Sequence, residues 1–286
     1  MNGKLESKGK GTLFIVPTPI GNLKDITLRA LEILSEVELI ACEDTRHTLK
    51  LLTHYGIKKP LVSYEKFSEK KKLVHLIEKL ESGENIALVS DGGTPLISDP
   101  GTMLVIEARN RGINVVALPG ACAFITALSA YGFDYKFRFI GFFPRKQSEA
   151  LSELAKMKSS NETTVFYESP RRLLTTLELI RKHLEDVQVC IARELTKVHE
   201  EYAAGRLEEV ISRFKDNEPK GEITVIIRGS RDDKKVMPDI RMKAEELLDN
   251  GYSKRDAAKM LHELYDRPRK EIYEMLIDKK IMNIKH

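Results

Sequence analysis

A chain of 286 residues with 42% hydrophobic and 31% charged side chains has the make-up of a globular protein large enough for two or three domains. No apolar run approaches the roughly 20 residues of a membrane span, and the start MNGKLESKGKG lacks the apolar core of a signal peptide, so a cytoplasmic protein without membrane partners is expected. The net charge of +4 does not by itself imply nucleic acid, and Cys42, Cys122 and Cys190 stand too far apart for a disulfide framework or a metal site. They are expected to be buried, reduced thiols, and no metal is expected.

In chain order, residues 1–11 read as a flexible start. Residues 13–16 (LFIV) form the short apolar run of a strand buried on both faces, ended by Pro17, Pro19 and Gly21. Asp25 or Thr27 then caps a helix with apolar Leu28, Leu31, Ile33 and Leu34. The intervening loop is neither a Walker loop nor a GxGxxG fingerprint, so a nucleotide phosphate is not its obvious ligand. A second strand at 37–41 runs into Glu43, Asp44 and Arg46, which form either a solvated strand end or the polar rim of a site. A turn or two of helix at 49–55 and a short strand at 61–64 follow. The charged run 65–72, with Phe67 inside it, reads as a solvated face, and Leu73, Leu76, Ile77 and Leu80 mark an amphipathic helix stopped at Gly83.

The apolar run 86–89 opens into VSDGGTPLISDPG (89–101), where Gly92, Gly93 and Gly101 remove side chains and Asp91 and Asp99 supply carboxylates. A plain surface turn is one reading. Its place at the carboxyl end of a buried strand, where open α/β sheets bind ligands, favours a ligand loop. A helix at 102–111 and a strand at 114–118 lead to PGACAFITALSAYG (119–132), whose Pro119-Gly120 turn presents the amides of Ala121 and Cys122 as a helix starts. The alternation of strand and helix predicts a parallel sheet covered by helices.

The aromatic run FDYKFRFIGFF (133–143), followed by Pro144, Arg145 and Lys146, suits the first core strand of a second domain or a surface that stacks bases and holds phosphates. Strands at 164–167, 188–192 and 223–227 alternate with helices at 148–158, 173–183 and from about 207. Residues 230–239 form a charged linker. From 240 to 286 the chain is helical, punctuated by Gly251, Ser253 and Pro268. This tail resembles a helix-turn-helix module in which Lys254, Arg255, Arg267, Arg269 and Lys270 contact phosphates, with a small packing or dimerisation domain as the alternative.

The ordered motifs IVPTPIGNLKDITLRALEIL, ACEDTRHT, VSDGGTPLISDPG, LPGACAFITAL, FIGFFPRK, YESPRRL, ARELTKVHEE and GEITVII resemble the tetrapyrrole methylase superfamily, over residues 12–229. Within it they look like the branch that methylates the ribose 2′-hydroxyl of a cytidine in the decoding region of bacterial 16S rRNA. The resemblance implies an α/β fold with two methylase domains, 12–122 and 123–229, S-adenosylmethionine in the cleft between them, and a small helical C-terminal domain. It implies cofactor contacts from Val16 and Pro17, from Asp91, Gly93 and Thr94, from Gly120, Cys122 and Ala123, and from Tyr167, Ala192, Ile223 and Thr224. It also implies a homodimer whose substrate is 16S rRNA or the small ribosomal subunit, with no DNA partner.

Methyl transfer from a sulfonium requires alignment of oxygen, carbon and sulfur and removal of one proton from a weakly acidic hydroxyl. Candidate catalytic groups are Glu43, Asp44, Glu194, Glu200 and, first, Lys197, as a neutral amine base or as a cation on the developing oxyanion. Arg46, Arg145, Lys146, Arg171, Arg172 and Arg193 join the tail residues Lys254, Arg255, Arg269 and Lys270 as RNA-binding candidates, or pair with neighbouring acids. Methylation of a tetrapyrrole carbon and a non-catalytic RNA-binding role in ribosome assembly are the alternatives.

Overall fold

The computed structural model describes residues 9–65, 69–132, 136–160, 162–215, 219–228, 233–265 and 267–277, with backbone alone at 69–71 and 233–239. The start at 1–8, Phe67, residues 133–135 of the aromatic run, 229–232 of the charged linker and 278–286 of the tail lie outside the described residues. The chain forms two compact units, Met1–Gly229 and Ser230–His286.

The first unit holds two five-stranded sheets. One is wholly parallel, in the order β3-β2-β4-β1-β5, built from β1 (Thr12–Ile15), β2 (Leu39–Cys42), β3 (Leu61–Ser63), β4 (Ile86–Val89) and β5 (Asn114–Ala117). Its central strands are apolar at consecutive positions because both faces are covered. Leu13, Ile15, Leu39, Ala41, Ile86 and Leu88 point to one side, against α3 (Glu69–Glu81) and α4 (Thr102–Asn110). Ile40, Cys42, Ala87 and Val89 point to the other, against α1 (Leu28–Glu36) and α2 (Thr45–His54). Thr27, not Asp25, caps α1, its Oγ1 accepting from the Ala30 amide at 3.0 Å. Leu28, expected on the buried face, is 79% exposed, because Ala30 and Leu34 set that face and two residues turn the helix about 200°. The second helix is longer than expected, since Asp44 caps it and starts it at Thr45.

The second sheet is mixed, in the order β6-β7-β10-β8-β9, with only β6 and β7 parallel. It comprises β6 (Phe137–Phe142), β7 (Thr163–Glu168), β8 (Gln188–Arg193), β9 (Glu201–Arg206) and β10 (Ile223–Ile227). Helix α5 (Ala123–Tyr131) packs Ala127 and Leu128 on one face, with Val165, Cys190, Ala192 and Ile226. Helices α6 (Gln147–Ser159), α7 (Pro170–His183) and α8 (Leu207–Lys215) cover the other, with Phe166, Val189, Ile191 and Val225. Strand β9 was not expected, because EYAAGR is poor in the β-branched and large apolar residues that signal a strand; six register pairs with β8 impose it. The aromatic run divides between both expected roles. Phe139 stacks on Phe124 at 4.2 Å and Phe143 packs on Phe166 at 5.0 Å, whereas Phe142 is 58% exposed.

The second unit consists of α9 (Asp233–Asp249), α10 (Lys254–Tyr265) and α11 (Arg269–Ile277). Ile240, Ala244, Ala257, Ala258, Leu261, Ile272, Met275 and Leu276 form its core. The first of these helices begins seven residues before the expected start at 240; its Lys and Met residues are good helix formers, so the charge of the segment did not make it a linker. Ser253 caps α10 through the Asp256 amide at 3.2 Å and donates back to the Asp256 carboxylate at 2.6 Å.

Candidate active site

In a parallel sheet all carboxyl ends lie on one edge, so the loops after β1, β4 and β5 emerge side by side. Short hydrogen bonds knit them together. Thr18 and Gly93 exchange both backbone bonds at 2.9 Å, Thr18 Oγ1 donates to Ser90 O at 3.1 Å, and Thr94 Oγ1 donates to Ala121 O at 2.9 Å. Gly120 lies so close to Pro17 that a Cβ would stand 2.4 Å from the proline ring. In the acid loop, Leu96 and Ser98 adopt positive φ of 76° and 72°, a conformation costly for residues with side chains.

The second sheet brings its own loops to the same place because β10 runs against both β7 and β8. Ile223, at the start of β10, therefore sits opposite Glu168 and Arg193, the last residues of those strands. Glu194 and Thr196 also take positive φ, 51° and 65°. The turn they form reaches the first sheet's loops: Thr196 Oγ1 accepts from the Asn22 amide at 3.0 Å, and a Cβ on Gly21 would lie 2.5 Å from Lys197 Cγ.

These loops enclose a cavity of about 840 Å³, within the roughly 300–1,000 Å³ span of small-ligand sites. Of the expected cofactor residues, Asp91, Gly93, Thr94, Cys122, Ala123, Tyr167, Ile223 and Thr224 line it. Val16 and Ala192 are instead fully buried in the two cores, and buried Pro17 and exposed Gly120 pack on each other outside the lining. Cys42 and Cys190 are buried as expected, but Cys122 is only half-buried at the cavity. The sequence reading did not single out Thr18, Ile20, His47, Lys50, Phe142, Gly221 and Glu222, which also line it. Asp99, read from sequence as a carboxylate of the acid loop, lines it too.

The catalytic candidates separate into two groups. Lys197 lines the cavity, but its Nζ donates to Glu194 at 2.9 Å and to Glu222 at 3.3 Å. Burial pulls its pKa down, yet these two carboxylates outweigh burial and hold it above the ordinary lysine value. Lys197 is therefore a cation and not the neutral amine base considered from sequence. Glu194, whose carboxylate also accepts from the Glu222 amide at 3.1 Å, stands behind it with its pKa lowered, first by the Lys197 hydrogen bond. Glu200 accepts from the Thr196 amide at 2.5 Å. Asp44 caps α2, accepts from Arg46 Nη2 at 2.9 Å and is held down to about 2 by the bonds Arg46 makes to it; it does not line the cavity.

The opposite wall is acidic and lacks such pairing. Glu43 follows β2 and has its pKa raised by burial and then by the charges of Asp91 and Glu65. Asp91 accepts the Asp44 amide at 3.1 Å. Asp99 is pushed up to about 6 by burial and by the charges of Glu43 and Asp91, partly offset by a hydrogen bond from Ser90. Among the described residues no ion pair reaches Glu43, Asp91 or Asp99, and no cluster of metal-ligating side chains occurs.

Several RNA-binding candidates turn out to be structural. Arg193 holds Glu201 through Nε at 3.0 Å and Nη2 at 2.8 Å. Arg172 bonds the carbonyls of Phe143 and Pro144 and faces buried Glu168 at 3.4 Å. Arg267 is 8% exposed and pairs with Glu271 at 3.2 Å. Arg46 extends into solvent beyond its bond to Asp44. Arg145 and Arg171 are exposed beside the cavity lining of Phe142 and Pro170, while exposed Lys146 pairs with Glu149 at 3.0 Å. On the second unit Lys254, Arg255, Arg269 and Lys270 are exposed, with Arg269 Nη2 donating to Arg255 O at 3.4 Å.

The family model described as Tetrapyrrole (Corrin/Porphyrin) Methylases matches residues 12–211. The chain is 44% identical over 271 residues to ribosomal RNA small subunit methyltransferase I of Haemophilus influenzae, covering 92% of this chain and 95% of that protein. It is 48% identical to the protein of the same name from Thermotoga maritima, covering 77% of this chain and 99% of that one. Among solved structures it is similar to a diphthine synthase, with a TM-score of 0.62 at 17% identity over 76% of this chain and 90% of that one. The methyltransferase CobJ gives a TM-score of 0.60 at 19% identity, over 78% of this chain and 95% of that one. The chain thus belongs to the tetrapyrrole methylase family, and within it to the ribosomal RNA small subunit methyltransferase I group.

Proposed function

We propose that this chain is an S-adenosylmethionine-dependent methyltransferase of small-subunit ribosomal RNA, acting on the ribose 2′-hydroxyl of a cytidine in the decoding region of 16S rRNA. The observation that carries this reading is the identity of 40–48% to ribosomal RNA small subunit methyltransferase I proteins, in most cases over more than nine-tenths of the chain. The cavity fits the cofactor in volume and chemistry. Its acidic wall, with no cation paired to it among the described residues, complements a positively charged sulfonium, and the glycine-bared backbone of Gly92 and Gly93 allows close approach. Bound there through the loops of Gly93, Thr94, Ala123, Ile223 and Thr224, S-adenosylmethionine would supply an activated methyl group.

The chain's own residues orient the acceptor. Lys197, held as a cation by Glu194 and Glu222, is placed to stabilise negative charge developing on the ribose oxygen. Phe142, more than half exposed at the cavity and in edge contact with Tyr167 at 5.6 Å, offers a stacking face for a base, with Arg145 and Arg171 beside it for phosphates. The basic face of the helical unit adds further phosphate contacts. The protein is expected to work in the cytoplasm as a homodimer; no helix of the described residues is long and apolar enough to cross a membrane, and sedimentation reads the oligomeric state.

The test is transfer of label from S-adenosylmethionine carrying a labelled methyl to intact small subunits or naked 16S rRNA, followed by nucleoside mapping. Label on a cytidine 2′-oxygen is the expected result. Absence of label from RNA, or label on a porphyrinoid instead, overturns the reading. Removing residues 236–286 should weaken RNA binding and leave cofactor binding intact; unchanged RNA affinity counts against the tail's role.

A further inference from the structure

Methyl transfer to a hydroxyl needs an acceptor for one proton, and the geometry removes most candidates around the cavity. Lys197 is already protonated and fixed between two carboxylates. Glu168 is buried and fully engaged, accepting from Thr176 Oγ1 at 2.5 Å and the Ser169 amide at 2.8 Å with Arg172 at 3.4 Å. Glu222 has its side chain 80% exposed and turned to Lys197. Asp91 has one oxygen committed to the Asp44 amide. Burial raises the Tyr167 and Cys122 pKa values, which keeps both groups protonated. His47 and Lys50 stand on α2 with exposed side chains.

Asp99 differs from all of these. It lines the cavity, is half-buried, and lies in a loop locked by positive φ at Leu96 and Ser98 and by Pro100. The groups around it are Glu43 from the end of β2, Asp91 and the Ser90 hydroxyl from the loop after β4, and Tyr167 from β7. None of these is a cation, and among the described residues no ion pair reaches its carboxylate. A carboxylate held in this way gains by accepting a proton.

We propose that Asp99 is the general base that takes the proton of the ribose 2′-hydroxyl. This inference rests on the methyltransferase reading. As the oxygen–carbon bond forms, the O–H bond breaks toward Asp99, and the electron pair of the carbon–sulfur bond leaves with sulfur, cancelling its positive charge. The proton remains on the Asp99 carboxyl until solvent removes it. Proximity to Glu43 and Asp91 raises the basicity of the group without leaving it protonated at neutral pH, the range in which a general base is most useful.

The experiment uses the full chain with labelled S-adenosylmethionine and small subunits under single-turnover conditions. Asp99→Asn should lower the transfer rate by about 100-fold or more, while calorimetry shows the dissociation constant for S-adenosylhomocysteine changed by less than about threefold. The wild-type rate should rise with pH through about 6 and then level, and the variant should lose that rise. Carbon-detected NMR of the protein without cofactor should place the Asp99 carboxyl midpoint near the same pH. A variant that keeps more than roughly a tenth of the wild-type rate, or a carboxyl titrating near the ordinary aspartate value, overturns the proposal. So does loss of the pH-dependent rise in His47→Gln with Asp99→Asn unaffected, which would transfer the role to His47. Label on RNA at comparable rates with wild type and Asp99→Asn overturns this proposal alone; no label with wild type overturns the methyltransferase reading and this with it.

Discussion

The two sides of the cavity and their surroundings treat their charged groups in opposite ways. On the second sheet's side the half-buried charges are paired: Lys197 with Glu194 and Glu222, Arg193 and Arg213 with Glu201, Arg172 with Glu168. On the first sheet's side Glu43, Asp91 and Asp99 crowd together, and among the described residues no ion pair reaches them. Paired charges fix backbone geometry, as Glu194 does by tying Lys197 and the Glu222 amide together. Unpaired, half-buried carboxylates cost stability and persist where a ligand or a reaction uses them. Ion pairs away from the cavity therefore mark scaffold here, and the unpaired acids are where the proposed proton transfer sits.

The strongest way to break this contrast is at Gly221, whose φ is +88° and whose Cβ would stand 2.1 Å from Glu194 Oε1. Gly221→Ala should destabilise the protein by about 3 kcal/mol or more, read as a lowered urea midpoint; an unchanged midpoint would mean that the paired wall is soft. Glu168→Gln comes next. It removes a fully buried charge facing Arg172 and should cost about 2–3 kcal/mol in the same measurement.

The acidic wall should respond with the opposite sign. Asp99 has a higher pKa folded, about 6, than the ordinary 3.8, so between those values the native state holds the extra proton and stability falls as pH rises. The full linkage of about 3 kcal/mol is cut by solvent screening at this partly exposed group to about 1–2 kcal/mol. Asp99→Asn should therefore raise stability at pH 7 by that amount, and the gain should vanish in melts below the ordinary aspartate pKa. Glu43→Gln should act alike and also lower the Asp99 midpoint. The smallest effect belongs to Asp44 and Arg46 at the solvated rim. Asp44 is held down to about 2, so its contribution is complete above 3.8 and is lost as pH falls through about 2; Arg46→Ala should therefore lower stability slightly at pH 7, leave it unchanged at the acid extreme, and so flatten that acid limb.

The parallel sheet was legible because its strands are continuous apolar runs, and the loops ending them carry glycine and proline at strand ends. The mixed sheet was harder to read: β9 offers no periodic apolar signal, and its partner strand alone makes it a strand. In the same way Lys197 could be located in a polar segment, but its protonation state depends on Glu222, which is 25 residues away in sequence.

By itself the sequence determined the chain's family, the order of all the strands but β9 and the three Gly/Pro loops that open the cavity, because local backbone chemistry and ordered motifs are written residue by residue. Only the tertiary structure decided which charges are neutralised. It turned Arg172, Arg193 and Arg267 into scaffold, made Lys197 a fixed cation and left Asp99 unpaired, because the state of an ionisable group is set by what the fold brings beside it and by how much water it excludes.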